Sequence, residues 1–264
     1  CLVGSEMCIR DSSKCNWVMD SLEKGWKGKE DHFWGFIGSN ETNINVCKAT
    51  KRPWFFWDMP YYGRWHKDIQ DDFYWRVGAN HIHYRFAKAW PNDRFKAWNV
   101  TPREYGKGTK ILICPSSETM TRYVTGMNVQ QWLDWVIEQV TFYCDRPYEI
   151  RQKPRANGTS GPSVADIPFA EQAKDTHCVI TCVSLCALEA QLLGIPTICH
   201  KDSFARDVSS WHIEEINQPK KFDTTQWFNN LAYSQFTHKE IEAGLPEEVF
   251  KESGIPIERY IQYA

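Results

Sequence analysis

The sequence predicts an α/β protein built from two open, doubly wound sheets. The clearest observation is the stretch Asp175–His200, in which a short apolar run, a helical segment and a second apolar run follow one another. The same alternation occurs around Glu41–Lys51 and on both sides of Val129–Tyr143. Strands that alternate with helices pair in parallel, because each helix carries the chain back over the sheet. Each sheet is therefore expected to be parallel and covered on both faces.

Length and composition indicate a globular protein. The 264 residues suffice for two domains of ordinary size, and 42% hydrophobic with 24% charged residues is a typical balance. The net charge of −2 provides no general attraction to nucleic acid, which is therefore not an expected partner. The 13 tryptophans suit a groove that stacks on sugars or bases, or an aromatic core, and the core is the favoured interpretation. No run of 18 apolar residues occurs, so no membrane span is predicted.

Residues 1–12 are expected to be foreign to the protein. They resemble the translation of a sequencing-library adapter, whose end, ATGTGTATAAGAGACAG, encodes residues 7–12. The native N-terminus would then be missing, so a signal peptide is not assessable. Ten cysteines less Cys1 and Cys8 leaves eight, mostly in apolar runs, as in a reducing compartment. A cytoplasmic protein is therefore expected.

The first domain begins with apolar residues at helical spacing, which predict a helix from 13 to 26. His32–Gly38 and Pro53–Asp58 are short aromatic runs that predict strands, with the helix Glu41–Lys51 between them. This βαβ unit would be the remainder of a doubly wound domain whose opening strand is missing. The loop Asp58–Arg64 follows the carboxyl end of a strand, where active-site groups collect in α/β proteins.

The segment 65–98 is polar and aromatic without clear periodicity, and no element is predicted there. It contains His66, His81 and His83, which are possible metal ligands. Histidines in a hydrogen-bonded loop are the favoured interpretation, because no carboxylate or third ligand has a convincing spacing. No metal site is therefore predicted.

The second domain alternates strands and helices after a linker at 99–110 that contains Gly and Pro. Its predicted elements, in order, are the strand Lys110–Pro115, the helix Val129–Tyr143, the strand Tyr148–Arg151, the strand Cys178–Thr181, the helix Ser184–Leu193 and the strand Pro196–Cys199. This order predicts a Rossmann-like doubly wound sheet. The expected boundaries are an adapter-derived segment at 1–12, a first domain at 13–105, a second at 106–224, and C-terminal helices at 225–264 that pack back across the domains.

Polar side chains follow the strands of this second sheet at their carboxyl ends. Thr181 ends one strand, and Ser184 begins the next helix, where free backbone N–H groups favour an anion such as phosphate. The loop Ser116–Ser117 follows another strand, and Arg151 and Lys153 belong to a cationic cluster after a third. The first interpretation is therefore a phosphate or nucleotide site.

Cys178, Cys182 and Cys186 are separated by three residues each, a pattern that invites an iron–sulfur interpretation. We reject it because Cys178 falls on a predicted strand and Cys186 on a predicted helix, and the spacing matches no ligand pattern for such a cluster.

The motif that begins at Asp175, Asp-x-x-x-Val-Ile-Thr-x-x-Ser-x-x-x-Leu-Glu-Ala-x-x-x-Gly-Ile-Pro-Thr, resembles the donor-binding half of GT-B glycosyltransferases. The capsule polysaccharide and CDP-glycerol transferases are the most similar group, together with a family of phage and bacterial proteins. In that family the loop Asp58–Arg64, the pair Lys153-Pro154 and a tail like Trp227–Gly244 occur in the same order. The resemblance implies a GT-B-like fold, in which two Rossmann-like doubly wound domains face a cleft, with the N-terminal domain truncated here.

The resemblance also implies a nucleotide-sugar donor as co-substrate, with no metal or other cofactor. Its phosphates would lie on the helix that begins at Ser184, with the Thr181 hydroxyl as a further donor and Arg151 and Lys153 neutralising the charge. The relatives often have His-Pro where Lys153-Pro154 stands, so a fixed cation replaces a histidine. The resemblance therefore does not specify which nucleotide sugar is the donor. Glu189 would accept hydrogen bonds from a ribose, the alternative being a solvent-facing helix glutamate.

Inverting sugar transfer requires a base for the acceptor hydroxyl, and the resemblance implies Asp58 in that role. The alternative is a carboxylate that caps the turn Tyr61–Arg64. Tyr62 and Arg64 would bind an acceptor, a glycan or another hydroxyl compound. Two further functions stay open: a nucleotide-sugar epimerase, and a binding module that holds glycans or nucleic acid without chemistry.

Overall fold

The computed structural model describes residues 18–28, 30–63, 74–86, 88–151 and 167–253. The chain divides into two compact units: unit 1 contains the residues up to 98 and those from 228 onward, and unit 2 contains 99–227. Both units combine helices with a sheet, which confirms the predicted α/β class.

The elements are, in chain order, α1 (over 18–25), β1 (Asp31–Trp34), α2 (Asn40–Thr50), β2 (Trp54–Asp58), β3 (Tyr74–Ala79), α3 (Asp93–Lys96), β4 (Lys110–Cys114), α4 (Glu118–Thr125), α5 (Val129–Tyr143), β5 (Tyr148–Ile150), α6 (Phe169–Gln172), β6 (Thr176–Thr181), α7 (Cys186–Leu192), β7 (Thr197–Cys199), α8 (Thr225–Ala232), β8 (Gln235–Thr237), α9 (His238–Glu242) and α10 (Leu245–Glu252). Short 3₁₀ helices occupy Arg206–Val208 and Ile213–Asn217.

Sheet A of unit 1 has the strand order β1-β2-β3-β8. β1 and β2 pair in parallel across α2, which confirms the predicted βαβ unit. β3 pairs antiparallel with β2, and β8 antiparallel with β3, so the sheet is mixed and the prediction of a parallel doubly wound sheet is wrong for the described part of this unit. Antiparallel strands need no helical crossover between them, and β8 comes from the far end of the chain. The hydrophobic periodicity of the sequence therefore does not predict that β3 pairs with β2 and β8.

The core of unit 1 is aromatic. All four aromatic residues of β2 are buried, and Trp57 packs in one cluster with Trp34, Trp75 and Phe236 from the neighbouring strands. The Trp34 and Trp75 rings meet edge to face with centroids 4.5 Å apart, a geometry that aromatic quadrupoles favour. Eight tryptophans are buried among the residues that the structure describes, which confirms the core interpretation of the aromatic surplus.

Sheet B of unit 2 is parallel, with the strand order β5-β4-β6-β7. Ile111 and Ile113 of β4 pack on one face, in a cluster with α5, whereas Leu112 and Cys114 pack on the other, in a cluster that includes the first residue of α6. The sheet is thus covered on both faces, as its apolar strands predicted. After β5 the chain crosses over β4 to form β6, so the direction of winding changes between β4 and β6. This position is the topological switch point of the sheet.

Side-chain caps explain where the long helices begin. Asn128 accepts from the backbone N–H of Gln131, whose side chain accepts in return from the Asn128 backbone N–H, so α5 starts where the pattern predicted. Ser117 caps α4, a helix that the sequence analysis did not predict although Met120 and Val124 form an apolar stripe that packs against the core of unit 2. Gly194 follows α7 with φ +68°, and a Cβ there would lie 2.1 Å from the carbonyl oxygen of Glu104, so only glycine fits.

Candidate functional site

The switch point of sheet B lies between the carboxyl ends of β4 and β6, which are Cys114 and Thr181. These residues are register partners at the ends of their strands. The Thr181 hydroxyl donates to the Cys114 carbonyl at 2.6 Å and accepts from the backbone N–H of Ser184 at 3.2 Å. The buried Thr181 side chain therefore links the loop that follows β4 to the loop that follows β6. Its hydroxyl proton is directed at the Cys114 carbonyl.

Ser116 provides a second link between the same two loops. Its buried Oγ accepts from the backbone N–H of Val183 at 2.9 Å. Ser117 is half-buried, and its Oγ accepts from the backbone N–H of Met120 at 3.4 Å at the start of α4. The structure thus brings Ser116, Ser117, Thr181 and Ser184 together at the switch point, and hydrogen bonds fix the loops that carry them.

The helix after β6 begins later than predicted. The sequence predicts Ser184 as its first residue, whereas α7 begins at Cys186. The Ser184 N–H is bonded to Thr181, and the Ser184 Oγ accepts from the Cys186 N–H at 3.4 Å. Residues 182–185 form an irregular turn instead. With only seven residues in α7, Ser184 would contact an anion chiefly through its half-buried side chain. Glu189 lies one turn further along, exposed on α7.

Arg151 lies just beyond the carboxyl end of β5, and contacts around α6 hold its guanidinium in place. It donates to the Gln172 side chain at 2.5 Å and to the Ile167 carbonyl at 3.1 Å, and it lies over the Phe169 ring at 5.5 Å. The structure therefore places a fixed cation at the same edge of the sheet as the serine loops. Lys153 lies outside the described residues.

Asp58 ends β2 in unit 1 and makes two contacts that decide what it can do. One carboxylate oxygen accepts from the Met59 backbone N–H at 2.7 Å. The other forms an ion pair with Arg76, its register partner on β3. The carboxylate thus stabilises the turn at the end of the strand and neutralises a buried cation.

Arg76 is the centre of a buried polar network in unit 1. Its guanidinium lies over the Tyr61 ring at 5.0 Å and contacts Nδ1 of His83 at 3.1 Å. Burial opposes the charge, but the carboxylate of Asp58 and the contact with Tyr61 raise the pKa of Arg76. Because arginine only donates, His83 Nδ1 must accept, which assigns the imidazole proton to Nε2. Burial, and then the Arg76 charge, hold the pKa of His83 well below its usual range, so this ring is neutral.

Gln235 of β8 holds the loop that follows β2. Its Oε1 accepts from the backbone N–H groups of Tyr61 and Tyr62 at 3.0 and 3.1 Å, and its Nε2 donates to the Tyr62 carbonyl at 3.2 Å. The Tyr62 ring stacks on Trp98 with centroids 4.6 Å apart, and its hydroxyl donates to the Trp98 carbonyl at 3.3 Å. Arg64 lies outside the described residues.

The sequence analysis missed Arg76 and Gln235, and it favoured His83 as a histidine in a hydrogen-bonded loop over a metal ligand. A signal for Arg76 exists in the stretch Tyr-Trp-Arg-Val-Gly-Ala, where one cation stands among apolar strand residues and must find a buried partner. Gln235 gives no local signal, because its partners lie more than 170 positions away in the chain.

A cavity of about 240 Å³ opens in unit 2 at the other edge of sheet B. Its lining includes Lys107, His177, Pro196 and Lys221. His177 lies near the amino end of β6, and Pro196 directly precedes β7. Burial, with the charge of Arg146, lowers the pKa of His177. The cavity therefore lies at the amino edge of the sheet, away from the switch-point loops. Because ligands of parallel sheets bind at the carboxyl edge, we do not assign the functional site to this cavity.

Among the described residues, no group of three or more His, Cys, Asp or Glu side chains is placed to hold a metal ion. In the same part of the chain, every helix is too short or too polar to span a bilayer.

No protein-family model matches the chain, and no curated protein is significantly similar to it. The fold and the site define a class: an α/β protein of two units, one with a mixed sheet and a buried Asp–Arg–His network, the other with a parallel sheet and polar loops at its switch point.

Proposed function

We propose that this chain is a glycosyltransferase-like protein that binds a nucleotide-activated sugar at the switch point of sheet B. The observation that carries the proposal is the strand order β5-β4-β6-β7, which separates the loops after β4 and β6. In open parallel sheets, ligands bind in the crevice outside the carboxyl ends of the strands at this point. Both loops bear hydroxyl groups there, and hydrogen bonds between them fix their positions.

The phosphate groups of the donor would contact side chains that reach the surface of this edge. Ser117 and Ser184 are half-buried, and Arg151 supplies a cation held by Gln172. Lys153, two residues further along the chain, would add a second positive charge. Charge-assisted hydrogen bonds of this kind are about twice as strong as neutral ones, which makes a phosphate the best-matched ligand group. Glu189 would accept from the ribose.

Transfer of the sugar would require a GT-B-like arrangement in which Asp58 of unit 1 serves as the base, with Tyr62 and Arg64 near the acceptor. General base catalysis needs a carboxylate that takes up a proton. The Arg76 cation stabilises Asp58 in its ionised form, which weakens it as a base.

The ion pair between Asp58 and Arg76 favours a second candidate function. A carboxylate held in this way is well suited to accept a hydrogen bond from a sugar hydroxyl without removing its proton. The second candidate is thus a module that binds glycans and performs no transfer.

Ser184→Ala is expected to raise the dissociation constant for a nucleotide sugar about 10- to 150-fold, because a hydrogen bond to a charged group contributes roughly 1.5–3 kcal/mol. A thermal-shift panel of UDP-, GDP-, CMP- and dTDP-sugars identifies the donor. Titration calorimetry then measures its dissociation constant for wild type and for Ser184→Ala. Thr176→Val is the matched control: this buried threonine lies at the opposite end of β6, and its hydroxyl has no hydrogen-bond partner within the described ranges. Equal affinity of wild type and Ser184→Ala for the donor, or no binding of any nucleotide sugar in the panel, would contradict the proposed donor site.

Nucleotide release by the wild-type chain, compared with that by Asp58→Asn, separates the two candidate functions. If Asp58 is the base, release of the nucleotide from the donor in the presence of a glycan mixture should fall by about 10²–10⁴-fold, with donor binding unchanged. Asp93→Asn, which alters a carboxylate on α3 of the same unit, should leave both measurements unchanged. Turnover by Asp58→Asn within about threefold of wild type would rule out Asp58 as the base, whereas no nucleotide release by the wild-type chain with any glycan would leave the glycan-binding module.

A further inference from the structure

Main-chain and side-chain contacts hold Arg151 just beyond the end of β5. Its backbone N–H donates to the Ile113 carbonyl at 2.8 Å, which continues the pairing of β5 with β4. Its guanidinium uses Nη1 for two hydrogen bonds, to the Gln172 side chain at 2.5 Å and to the Ile167 carbonyl at 3.1 Å, and it lies over the Phe169 ring. These bonds occupy both protons of Nη1, whereas the guanidinium has three further N–H donors on Nε and Nη2.

The side-chain partners of Arg151 in the described part of the chain are all electrically neutral. No carboxylate there lies within ion-pair distance of Arg151, whereas Arg76 pairs with Asp58 and Arg94 pairs with Glu240. A carboxylate compensates the charge of its arginine inside the protein. An arginine held by an amide, a carbonyl and an aromatic ring instead retains its positive charge for an anionic ligand.

Glu149 of β5 determines which way the amide of Gln172 faces. The buried Gln172 side chain donates through Nε2 to one carboxylate oxygen of Glu149 at 2.5 Å, and the other oxygen pairs with the Lys110 ammonium at 2.7 Å. The hydrogen bonds from Lys110 and then Gln172 lower the pKa of Glu149 and keep it ionised at neutral pH. Because the carboxylate engages the amide nitrogen, Gln172 presents its oxygen to Arg151.

We propose that Gln172 is a positioning residue for a phosphate ligand, because it anchors the Arg151 guanidinium without neutralising it. The edge formed by Nε and Nη2 then matches two oxygens of a phosphate group. The inference rests on the proposed nucleotide-sugar site, since it names the residue that makes Arg151 a phosphate donor there. Lys110 and Arg151 carry two positive charges against the one negative charge of Glu149, which leaves one positive charge in the cluster. Gln172→Glu would cancel that charge.

Two substitutions of Gln172 separate anchoring from charge. Gln172→Glu preserves an oxygen for Nη1 of Arg151 but neutralises the guanidinium, whereas Gln172→Leu removes the acceptor and leaves the charge. The probe is inorganic pyrophosphate, which carries phosphate groups without a sugar or a base. Titration calorimetry should give a dissociation constant at least about tenfold higher for Gln172→Glu than for wild type, as expected for the loss of a charge-assisted hydrogen bond.

Arginine-selective NMR measures the anchoring without any ligand. In the wild-type chain, rotation about the Nε–Cζ bond of Arg151 should be slow enough to resolve its Nη protons, and loss of the signal in Arg151→Lys assigns it. The protons should merge in Gln172→Leu and stay resolved in Gln172→Glu. Gln191→Leu is the matched control, because Gln191 is also a buried glutamine of unit 2 and its amide donates to Thr197 and Val208 instead. It should change neither the Arg151 signal nor the affinity for pyrophosphate.

Equal affinity of wild type and Gln172→Glu for pyrophosphate, no binding of pyrophosphate to wild type, or merged Nη protons of Arg151 in wild type would each overturn the proposal. The outcomes also separate it from the proposed function. Weaker donor binding by Ser184→Ala with unchanged pyrophosphate binding by Gln172→Glu would retain the donor site and reject the role of Gln172. Pyrophosphate binding that weakens in Gln172→Glu, in a chain that binds no nucleotide sugar, would retain that role and reject the donor.

Discussion

Replacing Arg76 with methionine is expected to lower the free energy of unfolding by about 3–5 kcal/mol, because removal of one partner leaves a partly buried charge without its counter-ion. The Arg76 side chain is only 8% exposed, and it contacts Asp58, His83 and the Tyr61 ring at once. Urea denaturation measures the total change. Hydrogen exchange of the peptide that contains β3 assigns the change to unit 1.

A double variant distinguishes the lost ion pair from a simple packing defect. Asp58→Asn combined with Arg76→Met removes both charges and should be more stable than Arg76→Met alone. Lys24→Met is the surface control, since the pair Lys24–Glu242 is 64% and 41% exposed and water already solvates both charges. An Arg76→Met protein as stable as wild type would show that the network contributes nothing to the fold.

Acidification is expected to destabilise unit 1 between about pH 6.5 and pH 4, chiefly through His32. Burial lowers the pKa of His32 to about 4, against smaller opposing effects of the carboxylates of Glu30, Asp31 and Glu247. A lowered pKa means that the unfolded chain binds the proton first, so stability is full above pH 6.5 and falls as the pH drops toward 4. The shift from the usual pKa of 6.5 to about 4 corresponds to about 3 kcal/mol. Neutral, buried His83 acts in the same direction.

The variant His32→Gln tests this origin of the acid sensitivity. Nδ1 of His32 accepts from the Trp57 indole N–H at 3.0 Å, and a glutamine oxygen preserves an acceptor there without a group that titrates. The urea midpoint of His32→Gln should therefore vary less than that of wild type from pH 6.5 to pH 4. His212→Gln, at an exposed histidine of unit 2, should retain the wild-type profile. An identical loss of stability in His32→Gln would assign the acid response to other groups.

Much of unit 2 could be predicted from the sequence, because its folding signals are local. The apolar runs of β4 and β6 and the capping box of α5 each lie within a few residues of the element they define. The cluster at the switch point was predictable for the same reason: in a parallel sheet the carboxyl ends of all strands meet at one edge, so residues that follow strands converge. The turn at 182–185 was not predicted, and the sequence pattern placed the start of the following helix two residues too early.

The strand pairing of unit 1 could not be predicted from hydrophobic periodicity. The pairing of β3 with β2 and β8 depends on contacts between segments far apart in the chain, and a strand's own pattern does not name its neighbours. The buried network follows from that pairing, since Asp58 and Arg76 meet only because they are register partners. Gln235 reaches the loop after β2 from the opposite end of the sequence.

The sequence by itself determined the α/β class, most elements of unit 2 and the polar character of its carboxyl edge, since all three arise from residues close together in the chain. Only the tertiary structure decided the mixed order of sheet A, the pairing of Asp58 with Arg76 and the hold of Gln235 on the loop after β2. These arise from contacts over long sequence separations, where the free energy of burial selects partners that no local pattern specifies.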